Sequence, residues 1–159
     1  MPIYLKMNDE LWGEATQEDH KNWMDIQSMH WNVSRNMNTQ AGSAANREAS
    51  EPQVSEVTMT KITDKSSTKL FQQGCTGNKG MNAIIHMVTT GSPGQTYVEY
   101  KLYNTLVSGY TVGSGGDRPT ETLTLNFTKM DVKYTPYGQD NQAGSPSIAS
   151  YDLSTTKTA

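Results

Sequence analysis

Apolar and polar residues alternate along most of this chain with the two-residue period of a β-strand. Ile3, Leu5 and Met7 point one way and Tyr4 and Lys6 the other, which predicts a first strand. Residues 8–22 are polar and irregular, with Gly13 as a turn and His20 solvated beside Glu18 and Asp19. Alternation resumes over 24–34: Met29, Trp31 and Val33 form one face, and Ser28, His30, Asn32 and Ser34 a wholly polar one. That division is expected of a sheet with one wet side. Residues 36–53 contain almost nothing apolar and read as a long polar loop. Loops of this length are commonly functional or disordered.

Further strands are predicted over 54–63, carrying Val57 and Met59, over 81–90, and over 96–112 with a break near Gly109. SPGQ at 92–95 gives a tight turn. Over 120–134, Leu123, Leu125 and Phe127 share one phase, while Met130, Val132 and Tyr134 share the opposite one. A one-residue slip turns side chains to the other face, so a β-bulge or sheet crossing is expected near Thr128–Lys129. Residues 148–153 give a last short strand.

One helix interrupts the pattern, at about 65–75. Asp64, Ser66 and Ser67 offer oxygens to its free N–H groups. Leu70, Phe71, Gly74 and Cys75 fall on one stripe that would lie against the sheet. Gly77 or Gly80 can supply a left-handed residue to end it. The fold class is therefore all-β with one helix.

Composition qualifies this picture. Leu, Ile, Val and Phe make up only about 15% of the 159 residues, while the net charge is −3. So small a charge argues against disorder, and the shortage of apolar residues implies a thin core that partner subunits help to stabilise. The pI of about 5.5 argues against nucleic acid as a partner. The single cysteine, Cys75, rules out an internal disulfide. No stretch approaches 18 apolar residues, and no secretory leader opens the chain. The expectation is a protein made in the cytoplasm.

Candidate chemistry is weak. Cys75 falls at a helix C-terminus, where the dipole disfavours a thiolate, and reads as a buried structural cysteine. GCTGNKG at 74–80 has glycines after a helix rather than before one, unlike a phosphate loop. GYTVG at 109–113 lacks the helix that must follow a nucleophile elbow. His20, His30 and His86 show no metal-ligand spacing. No catalytic residue, metal ligand or cofactor-binding residue stands out, so neither an enzyme nor a cofactor is expected.

Several segments, in order along nearly the whole chain, resemble one family. They are IYLKM at 3–7, Gly13-Glu14, MDIQSMHW at 24–31, VTMTKITDKSSTKL at 57–70, VEYKL at 98–102, GSGGDRPTETLTLNF at 113–127, VKYTPY at 132–137 and YDL at 151–153. The strongest are T-K-x-x-D-K-S-S at 60–67 and G-G-x-x-x-x-E-x-x-x-L-x-F from Gly115 to Phe127. The chain resembles the haemolysin-coregulated protein (Hcp) family, the tube subunit of the bacterial type VI secretion system. It departs in having Thr68 where the family often has proline, and Met29 where it often has tryptophan.

The resemblance implies a β-barrel of two packed, mainly antiparallel sheets flanked by the helix, with residues 1–159 as a single tube-subunit domain and no appended toxin domain. It implies hexameric rings stacked into a hollow tube, a contractile sheath and a spike protein as partners, and effector proteins carried in the lumen. It also implies secretion through the type VI system without a signal peptide or membrane insertion. In that setting the polar face, Ser28, His30, Asn32 and Ser34, would line the lumen, or else face solvent as any wet sheet side does. Asn38, Gln40, Asn46, Arg47 and Glu48 of the 36–53 loop would reach a neighbouring subunit. Two other readings remain: a monomeric or dimeric β-barrel binding a small ligand or peptide, and a hydrolase using Thr111 or Cys75.

Overall fold

The structure, a computed structural model, describes residues 1–45, 47, 49–91 and 94–158. Its strands are β1 (Ile3–Met7), β2 (Met24–Ile26), β3 (Ser28–His30), β4 (Val33–Ser34), β5 (Gln53–Val54), β6 (Val57–Ile62), β7 (Met81–Val88), β8 (Thr96–Gly113), β9 (Thr120–Asn126), β10 (Lys129–Tyr134), β11 (Ser147–Asp152) and β12 (Lys157–Thr158). The helix α1 spans Ser67–Thr76. One sheet runs β12-β11-β10-β8-β7-β1-β2, and a second runs β3-β6-β9-β8. All the pairings are antiparallel.

The two sheets are joined where one segment passes from the first to the second. The 18-residue β8 pairs with β7 and β10 through its first part and with β9 through its second, with a register shift between Val107 and Gly109. The expected break near Gly109 is this corner. Phe127 and Thr128 separate β9 from β10, so the phase slip read near Thr128–Lys129 is a sheet crossing. Gln27 separates β2 from β3 and donates its N–H to the Thr60 carbonyl at 2.8 Å. With these corners the ladder β3-β6-β9-β8-β7-β1-β2 returns to its starting segment and closes a barrel.

Leu5, Met24, Met59, Ile85, Leu102 and Leu123 are among the core side chains, joined by Met7, Met81 and Met130. Methionine's flexible thioether fills irregular gaps, which offsets the scarcity of branched apolar residues. The strap of residues 8–23, between β1 and β2, packs across the barrel wall. It places Trp12 in the main core and builds a second cluster from Tyr4, Ala15, Trp23 and Val88. Tyr4 is therefore buried on the face of β1 opposite Leu5. Gly13 is required here, because a Cβ would stand 2.2 Å from the Trp23 carbonyl oxygen.

Several expectations need correction. His20 is not solvated: it is 3% exposed beneath the strap. The strap's aromatic residues fold back over β1, which periodicity along the chain does not reveal. Only Leu70 of the helical stripe is buried, whereas Phe71 is 63% exposed. Cys75 is exposed rather than structural. A ten-residue helix resting on one strand, β8, has room for one buried row, and Leu70 occupies it. Gly77 closes α1 at φ −67°, not in the left-handed region, donating its N–H to Gln73. Gly80 instead admits Asn104, whose Oδ1 would lie 1.7 Å from a Cβ. Ser66 makes no side-chain capping bond; the Asp64 carboxylate accepts its N–H at 2.9 Å. The 24–34 stretch divides among three ladders, leaving Val33 56% exposed. β12 follows the strand read at 148–153. Within the 92–95 turn, Ser92 and Pro93 lie outside the described residues.

Candidate functional site

Two exposed surfaces and one buried network stand out. The first surface is the wet face of the second sheet. Register places Ser28 beside Thr60, Thr60 beside Thr122 and Thr122 beside Thr111. The next row is His30, Thr58, Thr124 and Gly109. Paired residues share a face of a sheet, so these rows form a hydroxyl-rich wall containing no carboxylate, lysine or arginine. Ser28 Oγ and Thr60 Oγ1 are hydrogen-bonded at 2.5 Å. The threonines were missed in reading the sequence as a site, although T-x-T alternation in VTMTK and TETLTL marks them.

The four polar-face residues do not stay together. Ser28 and His30 lie on the wall. Asn32 and Ser34 lie at the root of an arm, the hairpin β4–β5 with the 36–53 segment as its tip. Its root is held by Asn32 N–H to Ser55 Oγ at 2.8 Å and by the return bond from Ser55 N–H to the Asn32 carbonyl. Farther out, Asn36 and Ser50 exchange bonds, and Met37 bridges Ala49. Every described residue from 36 to 51 is exposed, including Asn38, Gln40 and Arg47. Asn46 and Glu48 lie outside the described residues. Beneath the arm root, Trp31, Val33, Pro52 and Val54 face Phe127, Met130 and Leu153 across an apolar groove of about 300 Å³.

The buried network joins the two strongest sequence motifs. Lys61 and Glu121 are register partners, both 0% exposed, and their charged groups meet at 3.1 Å. The Lys61 ammonium also reaches Asp64 at 3.0 Å and the Ile62 carbonyl at 3.0 Å. Ser67 donates its hydroxyl to the other Glu121 oxygen, and Ser66 donates to Asp64. Thus Lys61, Asp64, Ser66 and Ser67 of the first motif enclose Glu121 of the second. Burial opposes ionisation of Glu121. Hydrogen bonds, that from Ser67 foremost, and the Lys61 ammonium outweigh it and hold the carboxyl below its ordinary range. The network ties α1 to β6 and β9.

Cys75 shares a shallow groove with Phe71, Gly74, Ser108, Gly109 and Tyr110, which offers it no base. Thr111 stands on the hydroxyl wall.

Residues 4–134 match the family described as "Type VI secretion system effector, Hcp". The chain is 32% identical over 143 residues to protein hcp1 of Pseudomonas aeruginosa, covering 87% of this chain and 85% of that one. Its fold is shared with a type six secretion system protein at TM-score 0.90 and 24% identity, covering 99% of both chains. It is shared also with Hcp1 from Salmonella typhimurium at TM-score 0.79 and 24% identity, over 99% of this chain and 98% of that one. A sequence match across most of the barrel, with the fold reproduced end to end, assigns the chain to the Hcp family of the type VI secretion system.

Proposed function

We propose that residues 1–159 form one tube subunit, and that six subunits close into a ring whose copies stack into a hollow tube. The tube is propelled by a contractile sheath behind a spike protein and carries effector proteins in its lumen. The subunit is made in the cytoplasm and leaves through the type VI system, and it performs no reaction. One observation carries this reading: a hydroxyl-rich wall without carboxylate, lysine or arginine lies on one face, beside an arm whose described residues from 36 to 51 are all exposed. Such a wall presents no fixed charge to a passing protein, and such an arm has contact surface to give to a neighbour. A lateral contact between unlike patches closes a ring when the rotation divides the circle, and an axial contact that need not close yields a filament. Ser28 and His30 then face the lumen, and Asn38, Gln40, Asn46, Arg47 and Glu48 contact the next subunit.

Thiol labelling tests the lumen assignment. In a Cys75→Ser background, His30→Cys should react with a small maleimide in rings and in tubes. A polymer-linked maleimide too wide for the lumen should label rings and fail on tubes. Equal labelling of tubes by both reagents contradicts an inward-facing wall.

The apolar groove favours a second reading, a barrel that binds a small ligand or peptide, since its volume reaches the lower end of ligand pockets. A subunit that stays monomeric supports that reading over the ring.

A further inference from the structure

The strap of residues 8–23 is fastened to the barrel by a chain of side-chain hydrogen bonds. Gln17 Oε1 meets His20 Nδ1 at 2.5 Å, His20 Nε2 meets His86 Nδ1 at 2.8 Å, and His86 Nε2 meets Glu99 Oε2 at 2.6 Å. The His20 ring stacks on Tyr4, with centroids 4.7 Å apart and planes at 14°, and meets Trp23 edge-on. Gln17 belongs to the strap and caps its single helical turn, Glu18–His20. His86 and Glu99 belong to β7 and β8.

Both ends of this chain are acceptors. The Gln17 atom facing His20 also accepts the Asp19 N–H at 3.1 Å, so it is the amide oxygen. The far end is a carboxylate oxygen. Three contacts between two acceptors take three N–H protons on the two rings: one on His20 Nδ1, one on His86 Nε2, and one between His20 Nε2 and His86 Nδ1, carried by either ring. A neutral pair carries two such protons and a doubly protonated pair carries four. A neutral pair therefore fills two of the three contacts, and a single imidazolium fills all three. A fourth proton puts an N–H on both of the nitrogens that face each other, His20 Nε2 and His86 Nδ1, across 2.8 Å.

We propose that His20 and His86 form an acid-released latch: the fourth proton sets two donors and two positive charges against each other, and the strap parts from the barrel wall. The surrounding charges bear on this step from each neighbouring element. Lys6 of β1, whose ammonium lies 4.8 Å from the Trp23 ring centre, and Lys101 of β8 oppose added positive charge. Asp19 of the strap and Glu99 of β8 favour it. The Tyr4 phenol, buried and near Asp25, is held neutral above its ordinary range. Burial first, and then the charge of His86, push His20 below the ordinary imidazole value. Burial does the same for His86, against the upward pull of Glu99.

The sign follows from these directions. A histidine depressed in the folded state contributes stability that is fully present above its unfolded value, about 6.5, and lost as pH falls through the folded value. Release uncovers the cluster that Ala15 and Trp23 make with Tyr4 and Val88. The latch lies within one subunit and does not depend on ring assembly.

Hydrogen exchange of the full chain tests it at the amides of Gly13, Ala15, Asn22 and Trp23, all bonded within the strap. Corrected for intrinsic chemistry, their protection should fall by about tenfold or more between about pH 7.5 and pH 5. His20→Phe keeps the aromatic stack and removes the titrating pair, so its strap protection should change little over the same range. Imidazole resonances of the native chain give a second readout, independent of whether that variant folds. His20 and His86 should titrate as a coupled pair, with the second midpoint well under about 6.5. Strap protection that is the same at both pH values, or two independent titrations near 6.5, overturns the latch.

Discussion

Replacing residues 38–50 with an Asn-Gly turn should leave a folded ring and abolish its stacking into tubes. The described residues removed are all exposed, and no core side chain is among them. The subunit loses the Asn36–Ser50 bonds and the Met37–Ala49 bridge. At about 0.5–1.5 kcal/mol per hydrogen bond, the subunit should lose no more than about 1–3 kcal/mol. The root at Asn32 and Ser55 remains, and Asn-Gly suits a two-residue hairpin turn. Electron microscopy separates the outcomes. Isolated rings place the arm between rings, while tubes as long as those of the native chain remove that role.

The second large effect concerns stability. Lys61→Met should cost about 3–5 kcal/mol in denaturant unfolding, because it leaves the Glu121 carboxylate buried and without its cation. Lys61→Met combined with Glu121→Leu should recover most of that loss, since a buried ion pair is often replaceable by apolar side chains of similar volume. Asp64 keeps its bonds from Ser66 in both variants. A single variant costing less than about 1 kcal/mol would place the pair among the weak ones typical of surfaces. Glu121 also sets an acid limit. Its carboxyl is depressed in the fold, so its contribution is present above the unfolded value of about 4.3 and is lost as pH falls through the folded value. This window lies below that of the histidine latch, and the two are separable in one pH series.

The barrel was legible where one strand carries its own evidence. Opposite phases in TLTLNF and KMDVKY marked the crossing between β9 and β10, and Gly109 marked the corner in β8. The hydroxyl wall was legible only in part. Ser28 and His30 alternate with Met29, but their continuation into Thr60 and Thr122 depends on pairing between strands far apart in sequence. His20 and Lys61 were misjudged or passed over for the same reason. Each is polar, and each is buried by groups from distant segments: His86 and Glu99 for His20, Glu121 for Lys61. The exposed Phe71 and Cys75 show the opposite limit. Helical spacing defines a stripe but not how much of it the neighbouring strand covers. The arm's outer residues follow no period that would assign them to a face.

Light scattering on the purified chain at the peak of a sizing column weighs the assembly directly. A ring of six gives a particle of about six times the 17.6 kDa subunit mass, held on dilution. A particle of one or two subunit masses at every concentration contradicts it.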